Sequence, residues 1–489
     1  MKLSSIKSKG KLRMSNSTNR SFKLDDNIHH IQKVESVVNR LLTDRELAYI
    51  LRGYAGDCKR RGSYLAATVA LKRANTMVPD DADILCDLGA CLWNYGDYAS
   101  AEDALFRSLS INPINSITLS NMGLLKSSTN EVVPAEYYLL EALRVDPNHI
   151  GALWDLALLQ LSIGNWKDGL MNYESRMDYR GFSQYPKLPY PMWNGEDLND
   201  KTIFIHGEQG MGDRILFSRY LYWLHKRYPK CKIKHTTLPN AVNLMYEFRS
   251  FVDFIPEGVP YRSIKADYGL FMMSLAKFHG TTPDNIPPDP GLILERVLPE
   301  KDHVVGFMPG GAVLPRRRSL KVGIRWTGNA QNDQNPDRSI PVEFLLELAE
   351  NPDVTLYSLQ VGDGADDLRR LNAQELIVDI APAMAQRGYV GTAATLLHLD
   401  LVITPCTSIA HLAGALGIPT WLVLSSDAYW IWLRDRSDTP WYPSVRIFRQ
   451  KSHGDWLEVI DRIKPLLANY ADKTLSEVGN NDGKTKRIS

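Results

Sequence analysis

Apolar residues after position 200 alternate between short runs typical of buried strands and longer stretches with helical spacing. The first alternation is a strand at 201–206, a glycine-rich turn at 207–213 and a helix at 214–228. Three more apolar runs predict further strands of the same half, at 231–234, 251–255 and 268–272. Strand, turn and helix in this order are typical of a wound α/β domain.

A second alternation begins after a proline-rich connection and the basic run Arg316–Arg318, which is interpreted as a solvated linker. It opens with a strand at 320–326. Further strands are predicted at 354–360, 376–379, 401–404 and 420–424, and helices at 341–350, 366–372, 393–399, 408–416 and 454–470. This order predicts a parallel sheet. Two wound halves in tandem predict a ligand cleft at the carboxyl ends of their strands.

Four columns of small residues and prolines recur with a period of 34 before this α/β region. They are Gly89 and Gly123; Ala67, Ala101 and Ala135; Ala74, Ser108 and Ala142; and Pro79, Pro113 and Pro147. Small residues let two helices of a hairpin approach closely, and proline ends the second helix. The columns resemble the tetratricopeptide repeat over 48–147, and a degenerate fourth repeat is predicted at 153–179. Such an array either spaces and stabilises the chain or offers a groove for a partner or acceptor.

Composition agrees with a globular chain of several domains. The 489 residues include 57 Lys and Arg against 56 Asp and Glu and are 44% hydrophobic, which excludes a wholly disordered or collagen-like protein. Residues 1–24 are basic and predict a solvated tail, with an arm for anionic nucleic acid or membrane as the alternative. The uncharged stretch 401–426 has the length of a membrane span, but prolines and glycines break it, so no span is predicted. Five scattered cysteines predict reduced thiols in the cytoplasm.

The second half carries a candidate anion site at the start of its helix at 408–416. Free N–H groups there, with the hydroxyls of Thr407 and Ser408, suit a phosphate, and His411 falls on the same helix face. The alternative is that Ser408 only caps the helix and His411 only packs. Arg325 and Arg338 follow the first strand, where their planar forks would hold a diphosphate unless they are ordinary solvated charges.

The turn after the first strand is the candidate acceptor-side loop, because its glycines let the backbone approach a ligand. The loop residues are Gly207, Glu208, Gln209, Gly210 and Gly212. Asp213 stands at the following helix start. It either caps that helix or faces the cleft and accepts a proton from an acceptor hydroxyl. Glu208 and His206 are the other candidate bases.

Four ordered segments together resemble the tetratricopeptide-repeat glycosyltransferases related to the heptosyltransferase family, which are similar in fold to the O-linked N-acetylglucosamine transferases. The segments are Ile205–Asp213, Val322–Asn329 with Arg338–Pro341, Thr407–Gly417, and Thr439–Ser444 with Ile447–Gln450. The resemblance implies a helical array followed by a GT-B type module of two Rossmann-like domains. The chain then divides into a flexible basic tail (1–24), the repeat array (25–180), an acceptor-side domain (181–315), a nucleotide-sugar-binding domain (316–470) and a flexible tail (471–489).

The resemblance also implies an activity. The implied activity is that of a hexosyl- or pentosyltransferase, which moves a sugar from a nucleotide-diphosphate sugar to an acceptor hydroxyl. The resemblance implies that the anomeric carbon is inverted and that no metal or other cofactor is needed. By position, Asp213 would be the base, and Thr407, Ser408 and His411 would bind the donor diphosphate. Many relatives have an acidic residue where this chain has Cys406, so the choice of sugar nucleotide stays open. The acceptor also stays open: a glycan, a protein, a lipid-linked saccharide or a modified nucleic acid.

Two other functions remain. A non-catalytic repeat scaffold would keep a nucleotide pocket without turnover, and a nucleotide-sugar epimerase would convert a sugar nucleotide without any acceptor. The chain has no P-loop of the G-x-x-x-x-G-K-[ST] kind, no G-x-S-x-G elbow and no metal-binding motif. The sequence therefore disfavours nucleoside triphosphatases and serine hydrolases.

Overall fold

The computed structural model describes residues 42–179, 185–239, 241–300, 319–329 and 335–485. The predicted basic tail at 1–24 and the run Arg316–Arg318 lie outside these residues. Contacts between residues divide the chain into two compact units, 1–155 and 156–489.

The first unit consists of consecutive helix pairs. Its helices are α1 (Asp44–Arg60), α2 (Tyr64–Met77), α3 (Ala82–Tyr95), α4 (Tyr98–Ile111), α5 (Ser116–Ser128) and α6 (Val132–Val145). Polar caps fix several helix starts: Thr43 forms a capping box with Glu46, and Asp81, Asp97 and Asn115 accept backbone N–H groups. The predicted repeats over 48–147 are therefore present as helix pairs.

The period of 34 has a steric basis. A Cβ atom on Gly89 would lie 2.5 Å from Leu105 Cγ, and one on Gly123 would lie 2.6 Å from Leu139 Cγ. Real side chains do not approach so closely, so each helix pair can pack this tightly only because the column is glycine. The physical reason given for this column in the sequence is confirmed.

Polar side chains join neighbouring repeats at a similar spacing. Arg52 Nε donates to Asp87 Oδ2 over 2.6 Å, and Trp93 Nε1 donates to Ser128 Oγ over 3.0 Å. The partners of each pair are 35 residues apart. The repeat period thus sets polar contacts as well as the apolar core.

One more helix pair follows: α7 (Ile150–Ser162) and α8 (Trp166–Asn172), continued by a 3₁₀ turn at Tyr173–Met177. It occupies the position of the predicted fourth repeat. The division between the units falls inside α7, so all of α8 belongs with the α/β residues, and the array boundary predicted at residue 180 lies beyond it. Packing explains the division, since the Trp166 ring stacks on Trp441 with 5.1 Å between centroids.

The second unit contains two separate parallel sheets. The first is ordered β3-β2-β1-β4, with strands β1 (Thr202–His206), β2 (Lys232–Thr237), β3 (Val252–Pro256) and β4 (Tyr268–Phe271). Its helices are α9 (Met211–Arg227), α10 (Leu275–His279) and α11 (Leu292–Val297). The interior residues Ile203, Phe204 and Ile205 of β1 are fully buried, as expected of a strand inside a covered parallel sheet.

The second sheet is ordered β10-β9-β8-β5-β6-β7. Its strands are β5 (Leu320–Ile324), β6 (Val354–Ser358), β7 (Ile377–Asp379), β8 (Leu401–Thr404), β9 (Thr420–Leu424) and β10 (Val445–Arg449), all paired in parallel. Its helices are α12 (Asn335–Arg338), α13 (Val342–Leu346), α14 (Asp367–Arg370), α15 (Ala381–Ala385), α16 (Gly388–Leu396), α17 (Ser408–Ala415) and α18 (Trp456–Thr485). Strand β10 was not predicted.

The predicted fold class is confirmed: a helical array precedes two parallel α/β sheets. The uncharged stretch 401–426 forms β8, α17 and β9, in agreement with the strand, helix and strand predicted there. Among the helices that the structure describes, none combines the length and the apolar character needed to cross a membrane.

The terminal helix corrects the prediction of a flexible tail from residue 471. Helix α18 continues through that point to Thr485. Ala471 is fully buried in the core that α18 shares with the second sheet, so the helix still packs beyond its predicted end. Residues 486–489 lie outside the described part.

Two helix starts meet in the second unit. The turn after β1 leads into α9, and the turn after β8 leads into α17. A Cβ atom on Gly212 of α9 would lie 2.5 Å from His411 Cδ2 of α17. The first turns of these two helices therefore lie against each other.

Candidate active site

The turn between β1 and α9 has a tightly constrained backbone. Gly207 N donates to Thr236 Oγ1 over 2.8 Å, and a Cβ on Gly207 would lie 2.5 Å from the Thr236 carbonyl oxygen. Gln209 has a φ of 60°, in the left-handed region that non-glycine residues rarely adopt. Gly210 N, at the start of α9, donates to Asp213 Oδ2 over 3.2 Å. The glycine-rich loop predicted from the sequence thus fixes the backbone that carries Asp213.

Asp213 is the carboxylate in this turn best suited to proton transfer. Burial raises the pKa of Asp213 to about 6, while the Gly210 N–H and the Tyr429 hydroxyl lower it; the charge of Glu208 adds to the rise. Oδ1 is buried and has no hydrogen-bond partner among the described residues. An unoccupied acceptor atom on a carboxylate with a pKa near 6 suits a general base at neutral pH.

Glu208, a candidate base from the sequence, is fully occupied by internal hydrogen bonds. Its carboxylate accepts from Arg176 Nε and Nη2, Tyr185 Oη and Met273 N over distances of 2.7–3.0 Å. Its side chain is only 3% exposed. These contacts favour a role of Glu208 as an anchor of the turn, and its roles as a base or as an acceptor contact stay predictions.

His206, the third candidate base, ends β1. Its Nδ1 lies 3.4 Å from Thr236 Oγ1 and 3.4 Å from Tyr261 Oη. Burial lowers the pKa of His206, so the imidazole is neutral at pH 7. These contacts place the His206 ring at the carboxyl end of β1, next to Thr236 and Tyr261.

The start of α17 presents the N–H groups assigned to a phosphate. Thr407 is the N-cap residue with extended backbone, and its Oγ1 lies 3.2 Å from Thr404 Oγ1. Within the described residues its side chain makes no capping bond to the helix. Ser408, the first helical residue, is partly exposed. Ala410 N donates to the Thr407 carbonyl over 3.0 Å, so the N–H groups of Ser408 and Ile409 are the ones that stay predicted contacts of an anion, which the positive helix end would favour.

Cys406 precedes this helix start and has two polar neighbours. Arg338 Nη1 donates to the Cys406 carbonyl over 3.1 Å, and Trp432 Nε1 donates to Cys406 Sγ over 3.1 Å. Burial raises the pKa of the Cys406 thiol, which keeps it protonated. A protonated thiol is a poor nucleophile, so the contacts favour a packing role for Cys406 beside the predicted anion site.

Arg325 and Arg338 lie close to each other. Arg325 Nε donates to the Thr327 carbonyl over 2.9 Å, and Nη1 donates to the Leu359 carbonyl over 3.4 Å. Burial lowers the pKa of Arg325, and the nearby charge of Arg338 lowers it further. Two guanidinium groups this near each other concentrate positive charge beside the start of α17, and their contact with a donor diphosphate stays a prediction.

His411 packs between the two helices. Its ring stacks on Trp432 with 5.0 Å between centroids, and its Nδ1 lies 3.3 Å from Tyr442 Oη. Burial lowers the pKa of His411 to about 3, so it is uncharged at neutral pH. These contacts favour the packing alternative for His411, and its contact with a donor diphosphate stays a prediction.

Tyr429 is a residue that the sequence analysis missed. It directly precedes the 3₁₀ turn Trp430–Trp432, in a segment without a motif. Burial raises the pKa of Tyr429, and so does the charge of Asp213, which places its hydroxyl near that carboxylate and keeps it protonated. Only the fold brings Tyr429 to the site, since no spacing in the sequence connects it to Asp213.

Metal ions in proteins require sets of ligating side chains that lie close together. Among the described residues, no group of three or more His, Cys, Asp or Glu side chains could hold a metal ion. The roles of Asp213 as a base and of the start of α17 as an anion site stay predictions.

No protein-family model matches the chain. Protein FlbA of Caulobacter vibrioides (strain ATCC 19089 / CIP 103742 / CB 15) is 27% identical over 362 residues, which cover 65% of this chain. The match spans 56% of the length of that relative.

Among solved structures, a mutant O-GlcNAc transferase of Thermobaculum terrenum is similar over 89% of this chain and 94% of its own, at 14% identity and a TM-score of 0.32. A glycosyl transferase family 9 protein of Veillonella parvula DSM 2008 is similar over 56% and 91%, at 14% identity and a TM-score of 0.36. MamA is similar over 32% and 88%, at 18% identity and a TM-score of 0.27. These similarities are remote, so the function has to be argued from this chain's own residues.

Proposed function

We propose that this chain is a glycosyltransferase that moves a sugar from a nucleotide-diphosphate sugar to an acceptor hydroxyl. The observation that supports it is the juxtaposition of Asp213 and the start of α17. The charge of Asp213 raises the pKa of the Cys406 thiol, and Gly212 lies against His411. A single displacement needs a base and an anion site side by side, because the acceptor proton and the leaving diphosphate are handled together.

In the proposed reaction, the acceptor oxygen attacks the sugar C1 while Asp213 Oδ1 takes the hydroxyl proton. The bond between C1 and the diphosphate oxygen breaks on the opposite face, which inverts the anomeric carbon. The N–H groups of α17, Ser408, Arg338 and Arg325 stabilise the negative charge of the nucleoside diphosphate. Because protein groups offset this charge, we propose that the reaction does not depend on a metal.

The acceptor is proposed only by class, as a hydroxyl of a glycan, a protein, a lipid-linked saccharide or a modified nucleic acid. Stacked helix pairs present extended surfaces, so we propose that the array binds a large acceptor or a protein partner. All five cysteines are free, which fits a reducing compartment such as the cytoplasm.

The donor site is tested by thermal shift with UDP, GDP, ADP, TDP and CMP, with and without attached sugars. A ligand at about a hundred times its dissociation constant stabilises the folded state by about 2.7 kcal/mol. We expect one nucleotide class to stabilise the protein, and less so in Arg338→Ala and Ser408→Ala. A matched control is Arg436→Ala, whose partner Asp438 lies 2.7 Å away on the surface. No shift with any nucleotide would contradict the donor site.

The non-catalytic scaffold remains a second candidate because Cys406 stands where many relatives carry an acid. It predicts nucleotide binding without release of nucleoside diphosphate from any sugar nucleotide offered with acceptor extracts. An epimerase predicts conversion of the sugar nucleotide in the absence of acceptor. Product analysis of the wild-type protein and of Asp213→Asn separates the three functions.

A further inference from the structure

Arg176 lies in a fully buried position beside the turn that carries Asp213. It belongs to the 3₁₀ turn that continues α8, in the helix pair that the sequence assigns to the repeat array. Its side chain is 0% exposed, and its Nε and Nη2 donate to the two oxygens of Glu208 over 2.9 and 3.0 Å. This two-pronged ion pair joins the helical segment to the loop after β1.

Every N–H donor of this guanidinium has an acceptor. Nη2 also donates to Ser274 Oγ over 2.8 Å, and Nη1 donates to Glu174 Oε1 and to the Tyr173 carbonyl over 2.6 and 3.2 Å. An arginine has five such donors, and all of them are engaged here. Arg176 therefore has no group left with which to bind a substrate.

Glu208 transmits this anchoring to the turn. Its carboxylate accepts from Met273 N and Tyr185 Oη over 2.7 Å each, in addition to Arg176. The next residue, Gln209, has the left-handed φ of 60°, which persists only where the surroundings hold it. Gly210 follows and donates its N–H to Asp213.

We propose that Arg176 is a positioning residue: through Glu208 it holds the 207–213 turn in the shape that presents Asp213 to the acceptor. The kinetic part rests on the proposed transferase function, whereas the ordering of the turn does not. Helix α8 and the 3₁₀ turn that continues it are then part of the catalytic unit rather than of a separable repeat array. The division of the chain after Asp155 agrees with this assignment.

Hydrogen exchange measured by mass spectrometry tests the ordering directly in the full chain. In Arg176→Met we expect the amides of the 207–213 peptide to exchange at least roughly tenfold faster, because the turn opens locally without its anchor. Arg176→Lys keeps the charge but not the fork, so an intermediate rate is expected. The control Arg144→Met removes an exposed ion pair with Glu141 and should leave this peptide unchanged.

Tyr185→Phe is the variant to use if Arg176→Met does not fold. It removes one of the hydrogen bonds to Glu208 and leaves the ion pair in place. We expect a smaller acceleration of exchange, confined to the same peptide. Wild-type exchange of this peptide in both Arg176→Lys and Tyr185→Phe would overturn the proposal.

Kinetics add a readout that a purely structural residue would not change. With UDP-N-acetylglucosamine, UDP-glucose and GDP-mannose as probes, we expect Arg176→Met to lower kcat for nucleoside diphosphate release by roughly a hundredfold, with KM within about threefold. If the amides of the 207–213 peptide exchange faster in Arg176→Met while kcat is unchanged, the positioning role is overturned. If the wild-type protein releases nothing from any probe, the proposed function fails, and the exchange experiment still decides the role of Arg176 in the turn.

The pH profile sharpens this test. The charge of Glu208 raises the pKa of Asp213, so Glu208→Gln should shift the acid limb of the rate profile to lower pH. Arg176→Met removes a positive charge and leaves Glu208 unpaired, so the same limb should shift to higher pH. Shifts in the same direction, or none, would contradict the coupling of these charges to Asp213.

Discussion

The repeat array and the candidate active site depend on contacts of different kinds. In the array one contact recurs: Leu105 fills the space at Gly89, and Leu139 fills it at Gly123. In the site each contact occurs once and joins segments without a common spacing, such as Gly212 and His411. A periodic contact distributes stability over many similar pairs, whereas the site makes function depend on a few residues.

This difference predicts the size of mutational effects in the two regions. A change in one repeat loses one of several equivalent contacts, and the neighbouring repeats remain. A change at the site removes a group that nothing else replaces. Single substitutions should therefore divide into moderate, similar losses of stability in the array and large losses of activity in the site.

The largest effect is expected for Asp213→Asn. An amide cannot take the acceptor proton, and a general base contributes about 10²–10⁴-fold to a rate. We expect kcat to fall by about that factor while nucleotide binding stays within twofold of the wild type. Initial rates of nucleoside diphosphate release and calorimetric titration with the nucleotide measure both quantities.

The matched control in the array is Asp103→Asn. Asp103 lies on the surface, 3.9 Å from Arg107, and its loss should not change the rate. The rate of the wild-type protein should also fall below pH 6, because burial raises the pKa of Asp213 to about 6 and only the ionised carboxylate accepts a proton. An Asp213→Asn protein that keeps a third of the wild-type rate would contradict the assignment of the base.

The next effect compares two ion pairs. Removing one partner of a buried pair leaves an uncompensated charge, so Arg176→Met should lower the free energy of unfolding of the second unit by about 3–5 kcal/mol. The exposed pair of Arg144 and Glu141 should contribute at most about 1 kcal/mol when Arg144 is changed to Met. Urea unfolding followed by separate probes in each unit measures both losses, and equal losses would contradict the distinction between the regions.

Much of the fold could be predicted from the sequence because its contacts follow local rules. Small-residue columns indicate the helix pairs, and apolar runs indicate every strand of the two described sheets except β10. The positions of Asp213, Thr407 and Ser408 follow in the same way, since a strand, a turn and a helix place the helix start at the edge of the sheet. The roles of these residues in catalysis and donor binding remain predictions.

The rest depends on contacts between distant segments, for which the sequence has no period. Glu208 is an attractive base by its position in the turn, and only the fold shows that Arg176, Tyr185 and Met273 occupy its carboxylate. His411 lies on the predicted helix face, but Trp432 and Gly212 enclose its ring. Tyr429 and Arg176 belong to segments with no chemical motif, so nothing local points to them.

The third prediction compares glycines. Gly89→Ala and Gly123→Ala place a Cβ against equivalent leucines, so each should destabilise the first unit by a similar amount, about 1–3 kcal/mol. Gly212→Ala meets His411 in the same manner, but it should also lower the rate, since it displaces the helix start beside Asp213. Urea unfolding of the three variants measures the losses of stability, and initial rates measure the loss of activity in Gly212→Ala. Unequal losses for Gly89 and Gly123 would show that the repeats are not equivalent.

The last prediction concerns Asp155, which interacts with Ser120 at the same sequence spacing as Arg52 and Asp87. Burial raises the pKa of Asp155 to about 7, although a hydrogen bond with Ser120 lowers it. In the unfolded chain the pKa of Asp155 has its ordinary value near 3.8. Between these values the folded state retains a proton that the unfolded state has lost, so stability decreases as pH rises from about 4 to 7 and is constant above. Asp155→Asn removes this titration and still offers Ser120 an acceptor. Its free energy of unfolding should therefore decrease less than that of the wild type between pH 4.5 and pH 8. Parallel curves would mean that the Asp155 carboxyl does not retain a proton in the folded state at these pH values, and would contradict the prediction.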